Sequence, residues 1–171
     1  QFREDGGPLA HPVRPDTYVE INNFYTATVY EKGAEVIGML KRLVGDADYT
    51  RALDLYFTRH DGDAATIEGW LKVFEDATGR DLTRFKRWYT QAGTPRLIVT
   101  DDWQDGTYTL HVTQENRPVP GQPTPEPKVI PIALGLLNPN GDEVLPTTTL
   151  EMTEERQSFA FPGLAARPVP S

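Results

Sequence analysis

The sequence contains no cysteine. Disulfides, thiolate nucleophiles and thiolate metal ligands are all excluded, and redox arguments say nothing about compartment. Histidine is scarce: His11, His60 and His111 lie about fifty residues apart. No His-x-x-x-His pair places two imidazoles on one helix face, so these residues are not expected to ligate a metal by themselves. Ser158 and Ser171 are the only serines, and neither sits in a Gly-x-Ser-x-Gly elbow. Gly6-Gly7 runs into Pro8 and opens no clear helix, so there is no phosphate-cradling loop. No apolar run approaches the roughly 20 residues that span a bilayer. Lys and Arg nowhere cluster; the densest basic stretch, Arg80 to Arg87, is interrupted by Asp81, and the net charge is −8. Nucleic acid and an anionic membrane are therefore not expected as partners.

What remains is a globular composition. Of 171 residues, 38% are hydrophobic, enough for one generous core or two small ones. The first residue is Gln1, not Met, and the opening already has the texture of a domain interior. The sequence is expected to be part of a longer chain.

Residues 1 to 24 carry little regular pattern, with Gly6-Gly7-Pro8 and His11-Pro12-Val13-Arg14-Pro15 as loop punctuation. From about Val29 the period becomes helical. Val36, Leu40, Leu43 and Val44 share a stripe with Ile37 beside it, and Gly45 is a stop. Glu31 and Glu35, with Lys32 between them, are expected on a solvated face. Asp46 or Asp48 caps a second helix with Tyr49, Leu53, Tyr56 and Phe57 inward. Thr66 caps a third, with Trp70, Leu71 and Phe74 inward and Gly79 as its end. A short fourth helix is expected from Asp81, stopped by Gly93-Thr94-Pro95. Trp70, Phe74, Phe85 and Trp88 form either a satellite core or a face for another part of the protein.

After Pro95 the period falls to two. Leu97, Val99 and Trp103 alternate, Gln104-Asp105-Gly106 turns, and Tyr108, Leu110 and Val112 alternate again. Five prolines, Pro118, Pro120, Pro123, Pro125 and Pro127, make residues 117 to 127 a loop. Val129 to Leu137, Glu143 to Pro146, Thr147 to Met152 and Arg156 to Phe161 read as strands, and residues 162 to 171 as an exit loop. Helices followed by strands predict an α+β chain of two domains: residues 1–93 helical, and residues 94–171 a small antiparallel β-sandwich.

Asn22-Asn23-Phe24-Tyr25-Thr26 leads into Val29-Tyr30-Glu31-Lys32-Gly33-Ala34-Glu35-Val36-Ile37. Physics alone allows two readings of Tyr30. It is a packing tyrosine at a helix start, or a neutral phenol able to hydrogen-bond an oxyanion.

Those runs resemble bacterial aminopeptidase N, a family of zinc metallopeptidases with thermolysin-like catalytic domains. So do Arg3-Glu4-Asp5-Gly6-Gly7-Pro8, Leu55-Tyr56-Phe57-Thr58-Arg59-His60-Asp61-Gly62, Phe85-Lys86-Arg87-Trp88-Tyr89 and Gln91-Ala92-Gly93-Thr94-Pro95, in the same order. The resemblance is strong over residues 1 to 95 and looser beyond. It implies that residues 1–93 are the helical C-terminal part of a catalytic domain and that residues 94–171 are the β-sandwich following it. It implies removal of N-terminal residues from peptides, by an enzyme of the alanyl aminopeptidase type. Tyr30 would be the catalytic tyrosine, hydrogen-bonding the oxyanion formed when water attacks the scissile carbonyl. Asn22 and Tyr25 would line the pocket for the substrate's first side chain. The cofactor implied is zinc, acting as Lewis acid. Its His-Glu-x-x-His and glutamate ligands, and the Gly-x-Met-Glu-Asn stretch that grips the substrate amine, are not in this sequence. The partners implied are peptides with a free N-terminus and the remainder of the enzyme, in the cytoplasm. The competing reading is a non-catalytic binding module built from helices and a β-sandwich. A His-Glu-x-x-His upstream of Gln1 separates the two.

Overall fold

The computed structural model describes residues 2–122 and 124–171. Gln1 and Pro123, the latter one of the five loop prolines, lie outside the described residues. The chain is α+β and divides into two compact units: residues 1–94 with 118–126, and residues 95–117 with 127–171.

The helical unit begins with α1 (Phe2–Asp5), a 3-10 turn (Ile21–Phe24) and a π turn (Thr28–Lys32) that runs into α2 (Gly33–Val44). Then come α3 (Asp46–His60), α4 (Ile67–Thr78) and α5 (Arg87–Thr90). Val36, Leu40 and Leu43 of α2 are buried as their period requires. Gly45 ends α2 at φ 84°, a conformation that favours glycine. It is also the residue preceding α3, so Asp46 opens the helix and neither Asp46 nor Asp48 caps it.

The inward line of α3 is also shifted. Ala52 is fully buried, whereas Phe57 is 61% exposed. Tyr49, Ala52, Leu53 and Tyr56 keep the i, i+3, i+4, i+7 spacing, and Phe57 falls one position round from it. Tyr49 meets Phe74 at 5.5 Å and Tyr56 meets Trp70 at 5.1 Å between ring centroids, joining α3 to α4.

Helix α4 follows its local signals. The Thr66 hydroxyl accepts the Gly69 amide at 3.1 Å, and Gly79 terminates the helix in the left-handed region. Thr66→Ala should cost about 1 kcal/mol locally, so exchange of the first-turn α4 amides should rise about fivefold in a hydrogen-exchange measurement. The helix expected from Asp81 is a series of turns, with only Arg87–Thr90 helical. The Asp81 carboxylate accepts the Thr83 amide at 2.8 Å, and that local bond competes with a helical start. Phe74, Phe85 and Trp88 are buried and Trp70 is half-buried, so these aromatics form the core of this unit.

Residues 118–126 return to the helical unit. Gln122 receives the Ala92 amide at 2.8 Å and donates to its carbonyl at 3.2 Å. Glu126 pairs with Arg87 at 2.9 Å and with the Gln91 amide side chain at 3.1 Å.

The second unit has two three-stranded antiparallel sheets. One orders β1 (Arg96–Gln104), β2 (Thr107–Glu115) and β5 (Arg156–Phe161) as β1-β2-β5. The other orders β3 (Ile130–Leu137), β4 (Glu143–Met152) and β6 (Val169–Pro170) as β4-β3-β6. Asp105 and Gly106 both take positive φ, 49° and 75°, the requirement of a tight hairpin between right-twisted strands. Tyr108, Leu110 and Val112 point inward with Leu134, Leu136 and Met152. Gln114 is buried among them, and its side chain is matched on both ends. It donates to the Lys128 and Glu154 carbonyls at 2.9 Å each and accepts the Lys128 amide at 2.9 Å.

Two expectations are corrected here. Glu143 to Met152 is one strand, because the register shift between Leu134 and Leu136 absorbs Pro146, which has no N–H for a ladder. The segment read as an exit loop contains β6. Val169 and Pro170 pair with Leu137 and Leu136, and Gly135 and Ser171 exchange two hydrogen bonds of 2.9 Å.

Candidate active site

The lead-in to α2 is built to turn the chain sharply. The Thr26 hydroxyl accepts the Val29 amide at 3.2 Å, and the Thr26 carbonyl accepts the Tyr30 amide at 3.1 Å. Residues Thr28–Lys32 then form a π turn, with the Gly33 N–H directed at both the Thr28 and Tyr30 carbonyls. Such one-residue insertions in a helix are frequent at functional sites.

Tyr30 projects outward from this turn and is 58% exposed, as is Tyr25. Their rings stack with centroids 6.1 Å apart and planes 23° from parallel. Phe24 meets Tyr25 edge-on at 6.1 Å and Tyr18 at 5.8 Å. Asn22 lies in the preceding 3-10 turn, exposed. Tyr30 and Tyr25 are thus brought together, and Asn22 sits one turn away on the same surface segment.

Behind Tyr30 lies an open groove of about 510 Å³, lined by Val13, Phe24, Val29, Ile37 and Tyr89 among others. A second, of about 350 Å³, lies against Tyr56 and Trp70 and shares Ile37, Ile67 and Tyr89 with the first. Burial pushes the Tyr89 phenol up to about 12, so Tyr89 is a neutral wall of the groove at physiological pH. Among the described residues its hydroxyl finds no hydrogen-bond partner; the Trp70 indole N–H approaches it, short of hydrogen-bond geometry.

Beneath the turn, Lys32 corrects the expectation of a solvated face. It is 3% exposed, and its ammonium sits 2.9 Å from both carboxylate oxygens of Asp5, itself 1% exposed. It also donates to the Gly93 carbonyl at 3.0 Å. Asp5 accepts the Gly93 amide at 3.2 Å and the Thr94 hydroxyl. Nearby, buried Thr28 donates to Glu4 at 3.3 Å. The sequence did hold a signal. Positions 32, 36, 40 and 43 continue one helical line, and Lys32 lies on it.

The histidines are dispersed. His11 contacts the Pro12 carbonyl, His60 packs on Tyr56, and His111 meets Ser158 across β2 and β5 at 2.7 Å. The last is an exposed cross-strand pair. Among the described residues no three His, Asp or Glu side chains cluster as metal ligands do, so these residues do not fit a zinc ion.

Residues 1–89 match the model of the peptidase family M1 domain. The chain belongs to peptidase family M1. Residues 93–171 match a domain of unknown function with an Ig-like fold, consistent with the paired sheets of the second unit. Over its whole length the chain is 44% identical to aminopeptidase N of Escherichia coli strain K12 and 41% identical to that of Haemophilus influenzae. Over 58% of its length it is 58% identical to aminopeptidase N of Caulobacter vibrioides, of which it covers 12%. It spans 21% of the length of each of the first two relatives. Among solved structures, Legionella pneumophila aminopeptidase A in complex with aspartic acid matches 99% of the chain with a TM-score of 0.83 at 31% identity. The chain covers 19% of that protein.

Proposed function

We propose that this chain is the tyrosine-bearing part of an aminopeptidase that removes N-terminal residues from peptides. We assign residues 1–93 to the C-terminal helical part of its catalytic domain and residues 94–171 to the β-sandwich that follows. Tyr30 is the catalytic group. Its phenol O–H donates a hydrogen bond to the oxygen of the scissile carbonyl, and that bond strengthens as the oxygen gains negative charge. Tyr25 and Asn22 line the pocket for the substrate's first side chain. The Lewis acid would be zinc, held by residues outside these 171.

The observation that carries this reading is the presentation of Tyr30. It leaves a π turn outward, stacked on Tyr25, at the rim of an apolar groove. A packing tyrosine would be covered, whereas this one is 58% exposed.

The test compares the full-length protein with the 171 residues alone. The full-length protein should cleave an alanine anilide. The isolated chain should show no cleavage and no stoichiometric zinc by elemental analysis. Cleavage by the isolated chain, about one zinc per isolated chain, or a full-length protein inactive on free N-termini contradicts the reading.

A further inference from the structure

The π turn that carries Tyr30 is anchored from below. Residues two apart on a helical turn point to roughly opposite sides, at about 100° per residue. Lys32 enters the core where Tyr30 leaves it. An ammonium has three N–H donors, and the two oxygens of Asp5 and the Gly93 carbonyl lie within 2.9–3.0 Å of Lys32 Nζ. Asp5 is tied in turn to the Gly93 amide and the Thr94 hydroxyl, so one clamp joins α1, the π turn and the segment after α5.

We propose that Lys32, clamped by Asp5 and the Gly93 carbonyl, is a positioning residue that holds the Tyr30 phenol at the groove rim. This rests on the reading of Tyr30 as the oxyanion donor. A π turn holds one residue more than the α-helical turn it replaces. Relaxing it would rotate the preceding residues by about 100° and carry Tyr30 off the rim. One-residue insertions of this kind are rare and occur mostly as single turns, frequently at functional sites. An apolar side chain at position 32 would fill the space without fixing the direction of the turn.

The experiment is a double-mutant cycle on kcat in the full-length enzyme. Lys32→Met should lower kcat about 10- to 100-fold with KM within about threefold. Lys32→Arg should recover part of the loss. The pair Lys32→Met/Tyr30→Phe should fall no further than Tyr30→Phe alone, because the clamp acts through the phenol. Losses that multiply, or a folded Lys32→Met enzyme with normal kcat, overturn the proposal. The single Tyr30→Phe variant reports separately on the tyrosine. If its kcat is normal, the oxyanion role fails and the positioning role with it; if its kcat collapses and the losses multiply, only the positioning role fails. Where Lys32→Met does not fold, Asp5→Asn keeps the shape and one acceptor. Its kcat loss must likewise vanish in the Tyr30→Phe background, and a loss that persists there overturns the proposal.

Discussion

Replacing Tyr30 by Phe in the full-length protein is expected, on the proposed function, to lower kcat by about 10²–10³-fold while leaving KM nearly unchanged. The substitution removes one oxygen and keeps the ring, so the stack on Tyr25 and the wall of the groove survive. In the proposed role, what is lost is a donor whose partner gains charge only as the carbonyl is attacked. An interaction that strengthens in the transition state appears in kcat; one made equally to bound substrate appears in KM. Steady-state kinetics on an alanine anilide separate the two. A raised KM with normal kcat would make Tyr30 a pocket residue, the role proposed for Tyr25.

The second large effect is on stability. Asp5→Ala leaves the Lys32 ammonium buried beside an unpaired Gly93 amide and Thr94 hydroxyl, at a cost of about 3–5 kcal/mol. Lys32→Met strands the Asp5 carboxylate and should cost a similar amount. Asp5→Leu with Lys32→Met strips the Gly93 amide, the Gly93 carbonyl and the Thr94 hydroxyl of these partners but leaves no uncompensated buried charge, so it should cost less than either single substitution. The singles are therefore expected to exceed the double. The measurement is the urea midpoint of the transition that releases the α2 amides, followed by hydrogen exchange.

The charge state supports that ordering. Burial pushes the Lys32 ammonium below its ordinary value of 10.5, even though Asp5 pulls it the other way. Desolvation therefore outweighs pairing. The unfolded chain holds this proton more tightly than the folded one. The Lys32 contribution to stability accordingly rises with pH, from its lowered folded value up to 10.5. The double variant should lack that alkaline rise.

Features marked by adjacent residues were legible in the sequence. Thr66 and Gly79 bound α4, and Asp105-Gly106 makes its hairpin, because each signal needs only its neighbours. The Lys32 clamp was not legible. Charge outweighed period in reading position 32, and its partners lie 27 and 61 residues away with no local mark. Phe57 misled for a related reason: an aromatic one step off the inward line satisfies a coarse pattern. The β6 strand is two residues among prolines, too short for any period. At the candidate site, the residue types of Tyr25 and Tyr30 were readable. Their stacking and the π turn that aims them are products of backbone geometry. The chemistry assigned to them came from the family resemblance.

The most direct test is affinity for a tetrahedral phosphinate dipeptide analogue, measured on the full-length enzyme with Tyr30 and with Tyr30→Phe. The expected result is that the analogue binds about 10²–10³-fold more weakly to the variant while the product amino acid binds within about threefold of normal. Unchanged analogue affinity, or equal weakening of analogue and product, would contradict the role of Tyr30 as the oxyanion donor.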